Sequence, residues 1–451
     1  MATTYLTRTL GTPTDNNKWT FSCWFKYTRY SGTYPNSEAP FFHADAGSTT
    51  SWSFIGLDEA NQLILQNRIS SANVGYIISN AKLQDAGAWY NVVAVFDSSN
   101  STAADRQILY LNGERITSFA GETQAPLDTA SNINSAIEHR IGRGHGHYGS
   151  KYFGGSMTHV NFIDGTAYPA TAFGSVDSAS GIWTINTAPS VTYGNNGFSI
   201  LKDGISLTDS SPNSNNFSLG GGTLTKTEDC PDNNFSTFNP LRPNGISQTY
   251  SNGNNTVIRT GTGGQMNGTQ GVTSGKWYYE CLIDDYWQYL GWTALSLNTS
   301  QTAACSASGS GFYGLYSNAS GVLTYANGSG TSQGSYTPMA SGQIWGIAFD
   351  ADNAKMYFSV NGVWENSSDP ANQTNPAMSS IPVTDFLVPA IGQGTGSRSS
   401  TIKMNFGNGY FGTTAVTTNS GNGYAGAEGK SIFNYQPPTG YSALSTKGLN
   451  L

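Results

Sequence analysis

Between Lys18 and Lys26 the chain alternates, with Trp19, Phe21, Cys23 and Phe25 on one face and Trp24 on the other. Period-two patterning of this kind predicts a strand with one buried face, and it leaves Trp24 for a second layer or an interface. Shorter apolar runs follow at 53–57, 62–65 and 75–78, then 89–97 leads through a polar loop into 107–113, and 157–163 closes the set. The pair Asn112-Gly113 predicts a two-residue hairpin, because both residues tolerate positive φ. The second half repeats this grammar at 275–283, 289–293, 344–350 and 355–362, with Asn361-Gly362 as its own hairpin pair. No stretch shows helical periodicity with caps. The fold class read from the pattern is all-β: two tandem antiparallel β-sandwich (jelly-roll) domains with a short extended C-terminal tail.

Composition narrows the picture. A chain of 451 residues is too long for one sandwich, and charged residues make up only 11% while aromatics reach 12%. A net charge of −7 without a basic block argues against nucleic acid as partner. The longest apolar runs are strand-sized, which argues against membrane insertion, and Met1–Tyr5 lacks the basic and apolar regions of a signal peptide. Cys23, Cys230, Cys281 and Cys305 form no CxxC pair and lack zinc-ligand spacing with histidines, so they read as free thiols.

Order and spacing of the motifs carry resemblances. Trp19-Thr-Phe-Ser-Cys-Trp-Phe25, Trp89-Tyr-Asn-Val-Val-Ala-Val-Phe-Asp97, Leu109-Tyr-Leu-Asn-Gly-Glu114 and Phe153-Gly-Gly-Ser-Met-Thr-His-Val-Asn-Phe162 resemble the concanavalin A-like (laminin-G/pentraxin-type) sandwich. Ser274-Gly-Lys-Trp-Tyr-Tyr-Glu280, Leu290-Gly-Trp292, Trp345-Gly-Ile-Ala-Phe-Asp350, Val360-Asn-Gly-Val-Trp364 and Leu387-Val-Pro-Ala390 stand in the order of a SPRY domain. One departure is the polar insert from Asn366 to Pro376. The segment from Phe433 through Pro437-Pro438 to Leu449 is similar to a tail of bacteriophage structural proteins that pair these sandwich types. The division expected is a first sandwich over 1–175, a connector over 176–240 partly packed on it, a SPRY-like sandwich over 241–430 and a tail over 431–451. Tyr441, Leu444 and Leu449 of the tail pack either on a neighbour or back on their own domain.

Chemistry is sparse. A hydrolase on the concanavalin A-like fold needs paired carboxylates along one strand, and no Glu-x-Asp-x-x-Glu run occurs. Glu280 reads as an outward strand residue, and no nucleophile elbow or phosphate-cradling loop is present. His139, His145 and His147 fall within nine residues and are the best metal candidates; the alternating His145 and His147 could chelate a metal or hydrogen-bond a glycan, with a metal-free polar loop the favoured reading. No metal ligand set is assigned. The pentraxin-type resemblance keeps calcium open, with Asp45, Asp97 and Asp105 as contributors. The main binding candidate is the segment joining two strands, with Asp285, Tyr286, Trp287 and Tyr289, since Trp and Tyr rings stack on sugars and anchor protein interfaces. The alternative is that Trp287 fills the core.

Together these readings predict a non-catalytic virion structural or display protein: a fibre, tail appendage or capsid decoration. Its partners would be other virion proteins, further copies of itself and host-surface glycans, and its location the exterior of the particle. The alternative is a secreted lectin or glycan-degrading enzyme.

Overall fold

The computed structural model describes residues 3–28, 39–45, 47, 49–144, 151–241, 247–261, 264–285, 288–296, 305–318, 321–393, 398–416 and 423–450. The chain divides into two compact units, the first comprising Met1–Tyr27 and Tyr34–Lys226, the second Thr28–Thr33 and Thr227–Leu451.

Two antiparallel sheets build the first unit. One has the strand order Phe119–Thr123, Ala72–Lys82, Gln62–Ile69, Trp52–Leu57, Ala39–Asp45, Glu138–Ile141, Tyr5–Thr9 and Ser218–Gly221. The other runs Phe198–Ile200, Gly155–Asp164, Lys18–Tyr27, Tyr90–Asp97, Gln107–Leu111 and Glu114–Arg115. Alternation sets which side chains meet: Trp19, Phe21, Cys23 and Phe25 enter one core with Phe42, Ile55 and Leu65 of the facing sheet. Phe21 stacks on Phe42 with ring centroids 5.3 Å apart. Trp24 turns to the other face and is still buried. The stretch expected as a connector divides at Lys226. Its first part supplies the edge strands Phe198–Ile200 and Ser218–Gly221, which bury Phe198, Ile200 and, between them, Phe217.

At one end of this unit Asp164 gathers separate segments. Its fully buried carboxylate accepts N–H groups from Thr14 (2.7 Å), Asp15 (3.2 Å), Asn196 (3.0 Å) and the Asn134 side chain (2.7 Å). Asn134 in turn donates its backbone N–H to Nε2 of His139 at 3.1 Å. With Nδ1 of His139 2.9 Å from the Ile137 carbonyl, the ring is a neutral Nδ1–H tautomer facing the core.

The second unit repeats the plan. One sheet runs Ser247–Ser251, Thr256–Gly261, Arg398–Asn405, Lys276–Ile283, Ile344–Asp350, Lys355–Val360 and Val363–Trp364, and the other Gln265–Asn267, Leu387–Gln393, Gln288–Ala294, Phe312–Asn318, Gly321–Ala326 and Ser329–Ser332. Between them Trp277, Tyr279, Cys281 and Ile283 meet Leu290 and Trp292. Arg398–Asn405 flanks only the later half of Lys276–Ile283, and Ser442–Ala443 takes the place beside the earlier half in parallel. The C-terminal segment thus packs on its own sheet. Tyr441, Ala443 and Phe433 bury against Tyr278, Ala348 and Tyr357, whereas Leu449 stays exposed. Glu280 sits where the two neighbours change over. It points to the outer face, as alternation requires, yet it is fully buried and accepts N–H groups from Asn434 and Tyr435 (2.8 Å each) and from the Asn405 side chain (3.1 Å).

Both units contain the same three-strand device. Lys18 pairs with Asp97 across the sheet at 3.2 Å, and Lys276 with Asp350 at 3.6 Å. In each, the return strand ends in Asn-Gly, and the Asn side chain accepts the N–H that starts the preceding strand: Asn112 from Asn91 at 2.8 Å, Asn361 from Ile344 at 3.0 Å.

Two buried groups give the units opposite responses to acid. Desolvation pulls the His139 imidazole from 6.5 to about 4, so its contribution is present above the unfolded value and is lost as pH falls toward 4. Desolvation outweighs the N–H donors at Glu280 and pushes its carboxyl from 4.5 to about 7, so its contribution is full below 4.5 and is lost as pH rises through 7. Between pH 7 and 5, calorimetry should show the first unit's transition falling relative to the second's. Glu280→Gln should remove the second unit's share, and parallel drift of both transitions would refute the assignment.

Candidate functional site

The outer face of the first unit's six-stranded sheet carries a second apolar layer. Val93, Val95 and Ile163 are buried there with Ala170 and Phe173, and Ile108, Tyr110, Tyr168 and Trp183 pack around them. The hairpin formed by Gly174–Val176 and Trp183–Ile185 carries Trp183, whose indole donates to Asn91 Oδ1 at 3.0 Å. Beside this layer the face opens into a surface cleft of about 310 Å³. Its apolar wall is Val95, Ile108, Ala167 and Pro169, its rings are Tyr110 and Tyr168, and its polar rim is Asp97, Asn100, Asp105 and Arg115.

Each polar group is held in place. Asp97 ends its strand and accepts from the Ser99 hydroxyl at 2.6 Å in addition to its pairing with Lys18. Asp105 closes the short 3₁₀ turn Ala103–Asp105, and Arg115 reaches back from Glu114–Arg115 to its Oδ1 at 2.7 Å. The same guanidinium nitrogen donates to the Ala104 carbonyl at 2.9 Å. Asn100 is fixed by its side chain, which accepts from Thr102 N–H at 2.9 Å. On the opposite wall the hydroxyl of Tyr168 accepts from Thr192 N–H at 3.0 Å, which sets the ring's direction. The cleft therefore offers two half-buried tyrosine rings beside carboxylate and amide acceptors and one guanidinium donor. Such a mixture suits a hydroxyl-rich ring, with stacking on the apolar face and hydrogen bonds around the edge.

The residues singled out from sequence fall elsewhere. His145, His147, Tyr286 and Trp287 lie outside the described residues. Asp285 is buried two residues beyond the strand Lys276–Ile283. Tyr289 faces the outer side of its sheet but is 4% exposed, stacked on Tyr316 at 4.3 Å and edge-on to Phe312 and Tyr325. It fills a packed aromatic cluster and presents no ring face to solvent. His139 is committed to the core on both nitrogens. Of the calcium contributors, Asp97 and Asp105 share the cleft, while Asp45 is buried on the other sheet, 3.7 Å from His43. Among the described residues, no three His, Cys, Asp or Glu side chains converge as a metal site. The cleft residues Ile108, Tyr110 and Tyr168 were not singled out. Alternation around Leu109 already sends Ile108 and Tyr110 to the face opposite the core, and that was the available signal.

Comparison with known proteins adds a family likeness over part of the chain. Residues 2–171, which include the whole cleft, match the family described as the Concanavalin A-like lectin/glucanases superfamily. No curated protein matches the chain. Among solved structures it is similar to the SPRY domain of human HERC1, at 17% identity and TM-score 0.27, over 37% of this chain and 96% of that one. It is similar also to the TRIM65 PSpry domain, at 16% identity and TM-score 0.28, over 38% of this chain and 91% of that one. A third is a Bacteroides ovatus protein provisionally assigned as carbohydrate-binding, at 16% identity and TM-score 0.32, over 50% of this chain and 58% of that one. Likenesses at such TM-scores carry no functional weight.

Proposed function

We propose that the first unit binds a glycan in the cleft lined by Tyr110, Tyr168, Asp97, Asn100, Asp105 and Arg115, without chemical turnover. The observation that carries this reading is the juxtaposition of two oriented tyrosine rings with fixed acceptors and a donor. The match of residues 2–171 to a family of lectins and glucanases supports the ligand class. Both cleft carboxylates are held by cations, Asp97 by Lys18 and Asp105 by Arg115, and the sequence has no Glu-x-Asp-x-x-Glu run to pair an acid with a nucleophile. A glycan array probed with the intact chain should give hits that Tyr110→Ala weakens at least tenfold. The melting curve should stay near the wild type, because Tyr110 borders the core without filling it. Binding that survives Tyr110→Ala and Asp105→Ala together would move the site elsewhere, and new reducing ends in the incubated glycan would make the protein an enzyme.

The resemblance of the paired sandwiches and of segment 433–449 to bacteriophage structural proteins supports a wider proposal. In it the chain is a virion display protein, associated with other virion proteins and with copies of itself, and the cleft contacts host-surface glycan. Labelled antibody on purified particles tests this part; an unlabelled particle surface would favour the stand-alone lectin.

A further inference from the structure

Among the described residues, the second unit buries a cation that makes no ion pair. Arg259 lies on Thr256–Gly261, opposite Ser400 on the neighbouring strand. Val257 on the same face is in the core and Ile258 is exposed, so alternation turns Arg259 inward, between the sheets. The residue is 0% exposed. Nε donates to Ser400 Oγ at 3.1 Å, and Nη2 donates to Oε1 of Gln288, a fully buried residue of the facing sheet. Both acceptors are neutral. Among the described residues no carboxylate lies within ion-pair distance of the guanidinium. Asp284 and Asp285 act on the guanidinium through space without an ion pair to it, and Asp284 accepts the Thr401 N–H at 2.6 Å. Cys281 and Cys305 act on the guanidinium through space, but burial pushes both thiols far above their usual range and keeps them neutral.

Two donors remain. Nη1 of Arg259 and Nε2 of Gln288 are buried and meet no acceptor among the described residues. Each sits on the same planar group as one end of the Nη2–Oε1 hydrogen bond, which holds the two donors close together. A buried charge without an ion pair and two unsatisfied N–H groups in a low-dielectric interior are each costly. One acceptor carrying negative charge removes all three penalties. Arg259 and Gln288 are both 0% exposed, so an acceptor between them must be small.

We propose that Arg259 and Gln288 bind a small monovalent anion, of halide or formate size, between the sheets of the second unit. The intact chain would be melted by calorimetry in sodium gluconate, with chloride or formate exchanged in at constant ionic strength. The second unit's transition, identified by its shift in Gly362→Val, should rise saturably by about 5 °C at a hundredfold excess over Kd. The first should not respond. A response to chloride as well as formate marks a site limited by size, and a response to formate alone marks one that selects carboxylate; both support the proposal. Gln288→Glu supplies the negative charge within the chain. It should melt in gluconate at least as high as the wild type does in chloride, and show no anion response. Arg259→Met, an apolar side chain of similar length, should fold and also lose the response. Identical melting in all three salts would overturn the proposal and assign the pair to ordered water. A response that persists in Arg259→Met would overturn it equally.

Discussion

Asp164→Ala should lower the first unit's melting transition by 10 °C or more, the largest effect expected of any single substitution in that unit. Four N–H donors lose one acceptor, and they come from residues 14, 15, 134 and 196, which are distant in sequence. A buried donor left unmade costs about 1–3 kcal/mol, so even partial rescue by water leaves roughly 4 kcal/mol lost. In a unit of this size each kcal/mol moves the midpoint by about 2–4 °C. Asp164→Asn should fall between, because its NH₂ group would face donors where an oxygen stood. Calorimetry on the three proteins checks the order. An Ala variant melting within two or three degrees of the wild type would mean that these contacts are incidental.

The hairpin glycines come next. Gly113→Val and Gly362→Val should each destabilise their own unit by about 3–5 kcal/mol, which is about 10 °C, and spare the other. Two costs combine. The residues sit at φ of 84° and 82°, a region that a β-branched side chain resists. The added Cβ would also lie 2.4 Å from Cε3 of Trp183 in the first case and 2.5 Å from Cδ1 of Tyr435 in the second. Those rings cover the turns, so relief requires moving Trp183 out of the outer apolar layer or Tyr435 off the C-terminal segment. Gly→Ala at either site should reproduce most of the loss, whereas Val in a loose loop would cost little. Equal melting of variant and wild type would place the pairs in loose loops.

These hairpins were legible in advance because their cause is local. Asn-Gly between two alternating runs fixes turn type and register without help from the rest of the chain, and the observed pairings Leu111 to Glu114 and Val360 to Val363 follow directly. The same holds for the inward set Trp19, Phe21, Cys23 and Phe25. What depends on distant partners was not legible. Phe198 and Phe217 stand among Asn, Ser and Gly that read as linker, and only the open sheet edge beside Gly155–Asp164 and the pocket near Phe162 give them a place. Tyr289 looked like a loop aromatic because its strand begins one residue earlier than the alternation shows, at Gln288, and its stacking partner Tyr316 lies on a separate strand. The cleft was half visible. Asp97 and Asp105 drew notice as carboxylates, but their junction with Tyr168 depends on a crossover some sixty residues away in sequence, which no local pattern encodes.

In each unit an early strand gains its last neighbour from chain translated much later. Tyr5–Thr9 waits for Ser218–Gly221, and Lys276–Ile283 has its earlier half uncovered until Ser442–Ala443 arrives. Translation at about 5–20 residues per second therefore leaves the first strand with an open edge for roughly ten seconds or longer. Tyr278 and Tyr357 likewise stay uncovered until Phe433 and Tyr441, which seal them, have been made. Until then the second unit can advance only to an aromatic-faced intermediate. Expression temperature and chaperone supply should thus govern the yield of this chain more than the stability of its finished state does.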